Sequence, residues 1–328
     1  AEGRLAALHG WLSAGGASVH PKLELVSSAR RGNLVRAREA VPAGSGALLF
    51  VPTSLLLSWD AAEAGHSAAR HDRKALAAIT AATEGLEGLE RSEVATLLLL
   101  AHERFGRGGV SFFAPYLACL GEECGSAFEF CAPGTPAGDC SKVAATALGR
   151  AVARQHEEVV EARVGLVQGL GKRHPLLWPG MGDAAGARAA LRWAAGHYLS
   201  RAVSLPLPPP PGGARGGALG GSGMQAFPCM APLLDLANHR SGSLAEWRAA
   251  AGGGVELWMP HASLARGEEA CISYGTYADT ALLCKYGFVE RKWTQLVAED
   301  GEVLADAFLK AGGGGVDFLE DPPGCGFS

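Results

Sequence analysis

Between Ala231 and Glu290 the chain collects the side chains that packing alone explains worst. An apolar run, Ala231-Pro232-Leu233-Leu234, ends in Asp235, and Asn238 and His239 follow three and four positions later. On a helix these three share one face. A polar side chain buried without a partner forfeits about 1–3 kcal/mol, so an apolar stretch that carries three of them must put them to use. Taken alone they leave two readings open: a short helix or turn whose polar end caps itself, or a binding site. A metal site falls short, because no second His or carboxylate stands at ligand spacing. The continuation favours a site. Gly267-Glu268-Glu269 reads as a turn, and Ala270 to Ser273 as a short strand with Ala270 and Ile272 opposed to Cys271 and Ser273. Two Tyr-Gly pairs follow, Tyr274-Gly275 and Tyr286-Gly287, with Phe288 next in line.

The elements that must position these groups are legible from periodicity and turn residues. Leu5 to Gly15 is expected to form a short amphipathic helix ended by Gly15-Gly16. An antiparallel β unit is expected over about residues 22–58, from Leu23-Glu24-Leu25-Val26, from Asn33 to Ala37 after the Arg30-Arg31-Gly32 turn, and from Ala47 to Val51, stopped by Pro52. From Ala61 to Ser204 the pattern turns helical: Glu93 to Phe105, Val152 to Leu170 and Ala185 to Val203 recur at helical spacing. Ala132 to Asp139 and His174 to Gly182 read as loops. Leu205 to Gly223, with Pro208 to Pro211 and a Gly-rich tail, has nothing to bury and reads as a flexible loop. The chain is thus divided into residues 1–60, a helical block 61–204, the loop 205–223, a site-bearing part 224–290 and a short extension 291–328 with one helical stretch, Val303 to Lys310.

With 328 residues, nearly half of them hydrophobic, the chain can bury one large or two modest cores. A net charge of −4, with Lys and Arg in no run longer than two, offers no stripe for nucleic acid and no basic helix for a membrane surface. The longest apolar run, Val94 to Ala101 with Thr96 inside it, is far short of the about 20 residues a membrane-spanning helix needs. Eight cysteines without a C-x-x-C pair are expected as free thiols in a reducing compartment, chloroplast, cytoplasm or nucleus. Cys119, Cys124, Cys131 and Cys140 lack zinc-site spacing. Starting at Ala1 rather than Met, the chain is read as a processed or trimmed product.

In order along the chain, these pieces resemble the SET-domain protein methyltransferases of the Rubisco large-subunit lysine methyltransferase type. The matching segments are Gly32 to Ala37 with Val51-Pro52, Ser111-Phe112-Phe113-Ala114-Pro115-Tyr116-Leu117, Arg192-Trp193-Ala194 leading to Ser200-Arg201-Ala202-Val203, Asp235 to His239, and the two Tyr-Gly units. The resemblance spans about Gly32 to Val289. It implies an α+β fold: a β-rich SET fold, with a pseudoknot near its C-terminal half, split by an all-helical insertion. It also implies S-adenosylmethionine as cofactor, a lysine-bearing protein as substrate, no metal, no nucleic-acid or membrane partner, and a monomer. Carried over residue by residue, it places Asn33, Arg201, Asp235, Asn238 and His239 in the cofactor pocket. Tyr274 takes the catalytic position, and Tyr286 and Phe288 line the substrate channel.

The chemistry fits the residue types. Methyl transfer from a sulfonium needs in-line approach and a deprotonated nucleophile, so positioning supplies much of the rate. A tyrosine hydroxyl and backbone carbonyls can hold the amine, and an aromatic channel penalises its ammonium form. Plainer roles exist for the same residues: a helix-end cation for Arg201, core packing for Tyr286 and Phe288, a half-buried strand tyrosine for Tyr274, and a backbone-only role for His239. Tyr116 and Glu103 are assigned to packing. Where relatives carry E-G-x-G-L, this chain has Arg31-Gly32-Asn33-Leu34, and the helical C-terminal docking domain of the family is almost absent. Those departures make a catalytically silent SET-fold binding module the alternative to lysine methylation, and the resemblance also implies histidine as an alternative acceptor, since one branch of the family uses it. A metal-dependent hydrolase on Asp235 and His239 is the remaining rival, with an incomplete ligand set.

Overall fold

The computed structural model describes residues 2–28, 31–122, 147–206, 226–250 and 253–275, together with Leu282, Tyr286 and Phe288. The Pro- and Gly-rich residues 207–223, the loop 132–139, the expected helix 303–310, the extension 291–328 and five of the eight cysteines lie outside them. Cys119, Cys229 and Cys271 are free thiols.

The first helix, Glu2–Ala14, buries Leu5, Leu8 and Leu12. Four strands follow: β1 (Ser18–Val19), β2 (Leu23–Ser28), β3 (Gly32–Ala37) and β4 (Ala47–Val51). Strands β2 and β3 form a six-pair antiparallel hairpin, Leu23 opposite Ala37 through Ser28 opposite Gly32. Gly32 takes φ +68°, a backbone region that a Cβ disfavours. The antiparallel unit expected over 22–58 is therefore split. Strand β4 leaves the hairpin and joins a separate sheet of order β1-β4-β8-β7, in which β7 (Glu246–Ala249) and β8 (Val255–Trp258) come from the far end of the chain. The apolar run Leu48, Leu49, Val51 is buried there. Long-range pairing of this kind leaves no local trace in sequence, because partner choice is made by burial.

The helical block is observed from Trp59–Glu63 to Ala184–Arg201. Asp72 opens the helix Arg73–Ala82 by accepting from Lys74 N at 2.7 Å, and Asp183 opens Ala184–Arg201 by accepting from Gly186 N at 2.8 Å; each satisfies N–H groups a helix start leaves unpaired. The run expected as Glu93 to Phe105 is the α-helix Gly88–Ala101 continued by a π turn, His102–Arg107. That turn encloses a polar cluster, and Glu103 is not simple packing. Its buried carboxylate meets His71 Nδ1 at 2.8 Å, accepts from the Ser111 hydroxyl and lies 3.6 Å from Arg107. Burial pushes the Glu103 pKa up, but these partners outweigh it and the net shift is down. The span expected as Val152 to Leu170 is Ala147–His156, a π turn Glu157–Glu161, and Ala162–Arg173.

After Arg201 the chain extends into β5 (Val203–Pro206), which pairs with β6 (Ala226–Cys229). Leu205 and Pro206, expected within the loop, are thus strand, and Leu205 is buried opposite Phe227. One core joins the helices and the strands, with Tyr116, Trp178, Leu191, Leu233, Leu257 and Ile272 among its buried members. No helix among the described residues is long and apolar enough to cross a membrane.

Candidate functional site

Ala184–Arg201 is Ala-rich, hence strongly helix-favouring, and it buries Ala187, Ala190, Leu191, Ala194, Ala195 and Tyr198. That face fixes its direction, and its last residue, Arg201, arrives at Asp235. Arg201 Nη1 donates to the Asp235 carbonyl at 3.2 Å and lies 3.4 Å from Asp235 Oδ2. From the other side, the hydroxyl of fully buried Tyr116, on the helix Ala114–Leu120, donates to the same Oδ2 at 2.7 Å. The Asp235 side chain is 1% exposed, and its Oδ1 has no hydrogen-bond partner among the described residues. Burial pushes its pKa up against the pull of Arg201 and Tyr116, and burial pushes the Tyr116 hydroxyl well up as well. Tyr116 is therefore a polar member of the site, not packing alone.

Asp235, Asn238 and His239 do not share a helical face. Leu233 takes φ +81°, and a 3-10 turn, Leu234–Leu236, runs into extended backbone at Ala237. A leucine in that region costs about 1–3 kcal/mol, held here by the complete burial of Leu233 and Leu234. The turn sends Asp235 one way and Asn238 and His239 another. These two run parallel to the tyrosine-bearing segment, with His239 bridged to Ile272, Ile272 N donating to Asn238 O at 2.9 Å, and Arg240 N to Ile272 O at 2.9 Å. On its other side the same segment meets β3, Ala270 N donating to Val35 O at 2.9 Å. Flanked on both sides, residues 270–273 do not show the expected alternation: Cys271 is buried along with Ala270 and Ile272, and Ser273 alone is exposed.

Asn238 Nδ2 donates to Glu269 Oε1 at 2.6 Å and reaches the Arg31 carbonyl at 3.4 Å, while Glu269 Oε2 pairs with Arg31 Nη1 at 2.6 Å. His239 is buried and acts through its ring as well as its backbone: Nδ1 accepts from Tyr274 N at 3.0 Å. An accepting Nδ1 carries a lone pair, so the imidazole is neutral with its proton on Nε2, which lies 3.4 Å from the Ser241 hydroxyl. Tyr274, fixed in this way, donates its hydroxyl to the Ala237 carbonyl at 3.1 Å. Burial raises its pKa, with Asp235 and Tyr286 adding to the effect and Arg201 opposing it. Its ring lies 4.6 Å from that of Tyr286 and 6.4 Å from that of Phe288, and the Tyr286 and Phe288 rings are 6.1 Å apart. The His239 ring closes the set, 5.1 Å from Tyr274 and 5.9 Å from Phe288.

The expected site residues thus come together in two linked groups, Arg201 with Asp235, and Asn238 and His239 with Tyr274, Tyr286 and Phe288. Asn33 sits on β3, two residues along from Arg31, half-buried, and makes no side-chain hydrogen bond among the described residues. Leu34, which stands at the second glycine of the resembled motif, holds ordinary strand geometry opposite Val26 and is buried. Tyr116, expected as packing, Arg31, expected as a motif departure, and Glu269, expected in a turn, are joined to these groups by side-chain bonds. A hydroxyl inside the apolar run Phe112 to Leu120 was the available signal for Tyr116. No group of three or more His, Cys, Asp or Glu among the described residues is placed to hold a metal ion.

No model of a known protein family and no curated protein sequence matches the chain. Solved structures do. The SET domain of LSMT bound to lysine and AdoHcy superposes with a TM-score of 0.64 at 18% identity, over 98% of this chain and 69% of that one. Rubisco LSMT bound to AdoMet matches with a TM-score of 0.62 at 18% identity, over 88% of this chain. The chain has the SET-domain fold. Against the longer LSMT chain it spans 57% of the length. In chain order the helices from Trp59 to Arg201 stand between β4 and β5.

Proposed function

We propose that the chain is an S-adenosylmethionine-dependent protein N-methyltransferase whose acceptor is a lysine side chain. The observation that carries the reading is the aromatic set Tyr274, Tyr286 and Phe288 next to the Asn238–His239 segment in a fold shared with structures that hold AdoMet, AdoHcy, lysine and monomethyllysine. The residues present suit the cofactor. Buried Asp235 Oδ1 is an acceptor without a donor among the described residues, and Arg201 is a cation beside it; the pair matches a group carrying both an ammonium and a carboxylate, as the methionine end of S-adenosylmethionine does. When bound, that cofactor supplies an electrophilic methyl group, which the lone pair of an amine displaces from sulfur.

This chain's residues prepare the amine. The Tyr274 hydroxyl spends its proton on Ala237, so what it offers toward the aromatic set is an acceptor oxygen. An acceptor there orients an amine by its N–H and draws its lone pair into line. The rings of Tyr286 and Phe288 exclude water and disfavour the unproductive ammonium. His239 Nδ1 keeps the Tyr274 backbone in register. Calorimetry with S-adenosylhomocysteine tests the cofactor half of the proposal, with measurable heat expected, and the absence of heat at millimolar ligand with folded protein would overturn it. Labelled cofactor with a cell extract tests the acceptor half. The label is expected in methyllysine after acid hydrolysis of the labelled protein, and label in methylhistidine would reassign the acceptor.

A further inference from the structure

We infer that Glu269 is a positioning residue of the proposed cofactor site, a clasp between the turn at Arg31 and the Asn238–His239 segment. The inference rests on the reading above that S-adenosylmethionine binds there. The Glu269 carboxylate uses its oxygens separately, Oε1 on Asn238 Nδ2 and Oε2 on Arg31 Nη1, each at 2.6 Å. Asn238 Nδ2 also reaches the Arg31 carbonyl at 3.4 Å, so three residues from three distant stretches close a ring. Backbone pairing holds the same stretches together, through the Arg36–Glu269 bridge and the hydrogen bonds of Ala270 to Val35 and Ile272 to Asn238.

The chemistry of the ring explains why each member is what it is. Glu269 is 6% exposed, and a carboxylate buried to that degree needs a counter-charge. Arg31 supplies it while remaining a third exposed, so the guanidinium keeps water and the carboxylate keeps a charge-assisted bond. An acid at position 31 would set two carboxylates side by side in this chain. A second pair, Arg240 with Glu268 at 3.0 Å, braces the same Gly267-Glu268-Glu269 turn. The clasp also fixes which face of Asn238 a ligand meets. With both N–H groups of its amide turned to Glu269 and Arg31, Asn238 is left to present its Oδ1, an acceptor that selects a ligand donor.

The test compares wild type with Glu269→Ala and Glu269→Gln by two measurements, S-adenosylhomocysteine calorimetry and amide hydrogen exchange. Glu269→Ala is expected to weaken the ligand at least tenfold and to speed exchange over residues 31–37, with the β4–β8 ladder unchanged as internal reference. Glu269→Gln keeps an acceptor for Asn238 and loses the charge for Arg31, so it should fall between the two. It also carries both measurements if Glu269→Ala does not fold. Unchanged exchange over 31–37 would overturn the clasp, and faster exchange with wild-type affinity would overturn its positioning role. If the wild-type protein gives no heat, the cofactor reading falls by itself and exchange alone judges the clasp.

Discussion

Tyr274→Phe removes one oxygen and leaves every ring contact in place. The hydroxyl's hydrogen bond to the Ala237 carbonyl, at 3.1 Å, is worth about 0.5–1.5 kcal/mol of stability, and the ring keeps its neighbours Tyr286 at 4.6 Å and His239 at 5.1 Å. The fold should therefore survive, with the melting temperature lowered by about 1–2 °C. The rate should respond far more. Without the acceptor oxygen the amine loses its alignment, and misplacement of a reacting group by about 1 Å costs about 10²-fold. The pH profile adds a second signature. A free lysine, with pKa about 10.4, is only about 0.4% neutral at pH 8, so the rate should climb on the alkaline side in both proteins. Tyr274 does not contribute to that rise, because its own pKa is shifted upward by burial. The variant should thus keep the slope and lose the level. The assay is transfer of labelled methyl to the acceptor identified from extract, run beside S-adenosylhomocysteine calorimetry. A folded, ligand-binding Tyr274→Phe working at the wild-type rate would refute the assignment, and Tyr286→Phe would then be the decisive variant.

Tyr116→Phe should lower stability by about 1–3 kcal/mol, since it leaves Asp235 Oδ2 with Arg201 as its remaining partner inside the core; chemical denaturation measures this, and an unchanged midpoint would mean the hydroxyl bond contributes nothing. Glu103→Gln should cost about 1.5–3 kcal/mol at neutral pH, the range for hydrogen bonds to a charged group. The Glu103 pKa in the folded protein lies below its ordinary value of 4.5, so its stabilisation is fully present above about 4.5 and is lost as pH falls through the lowered folded value. Melting temperatures of wild type and Glu103→Gln should therefore converge below pH 4.5, and a gap of constant size down to pH 3 would count against the buried ionised carboxylate.

Most of the proposed site residues could be picked from the sequence because they are local in type and spacing. Tyr274, Tyr286 and Phe288 fall within fifteen residues, and Asp235, Asn238 and His239 within five. Helices were legible for the same reason, each carrying its own 3.6-residue burial pattern, as in Ala184–Arg201. What escaped was set by contacts between distant stretches. Nothing near Leu49 announces that its strand pairs with Leu257, and nothing near Tyr116 announces an aspartate 119 positions away. Arg31 is the clearest instance. Taken alone, a cation where the resembled motif has an acid reads as a plain departure from the motif. Beside Glu269 and Asn238 it becomes a neutralising partner, and Leu34 sits in plain strand geometry that asks for no glycine φ. A residue-by-residue comparison with a motif scores each departure against the motif alone. Here the compensating carboxylate lies 238 positions further along the chain, so the departure and its remedy meet only once the chain has folded.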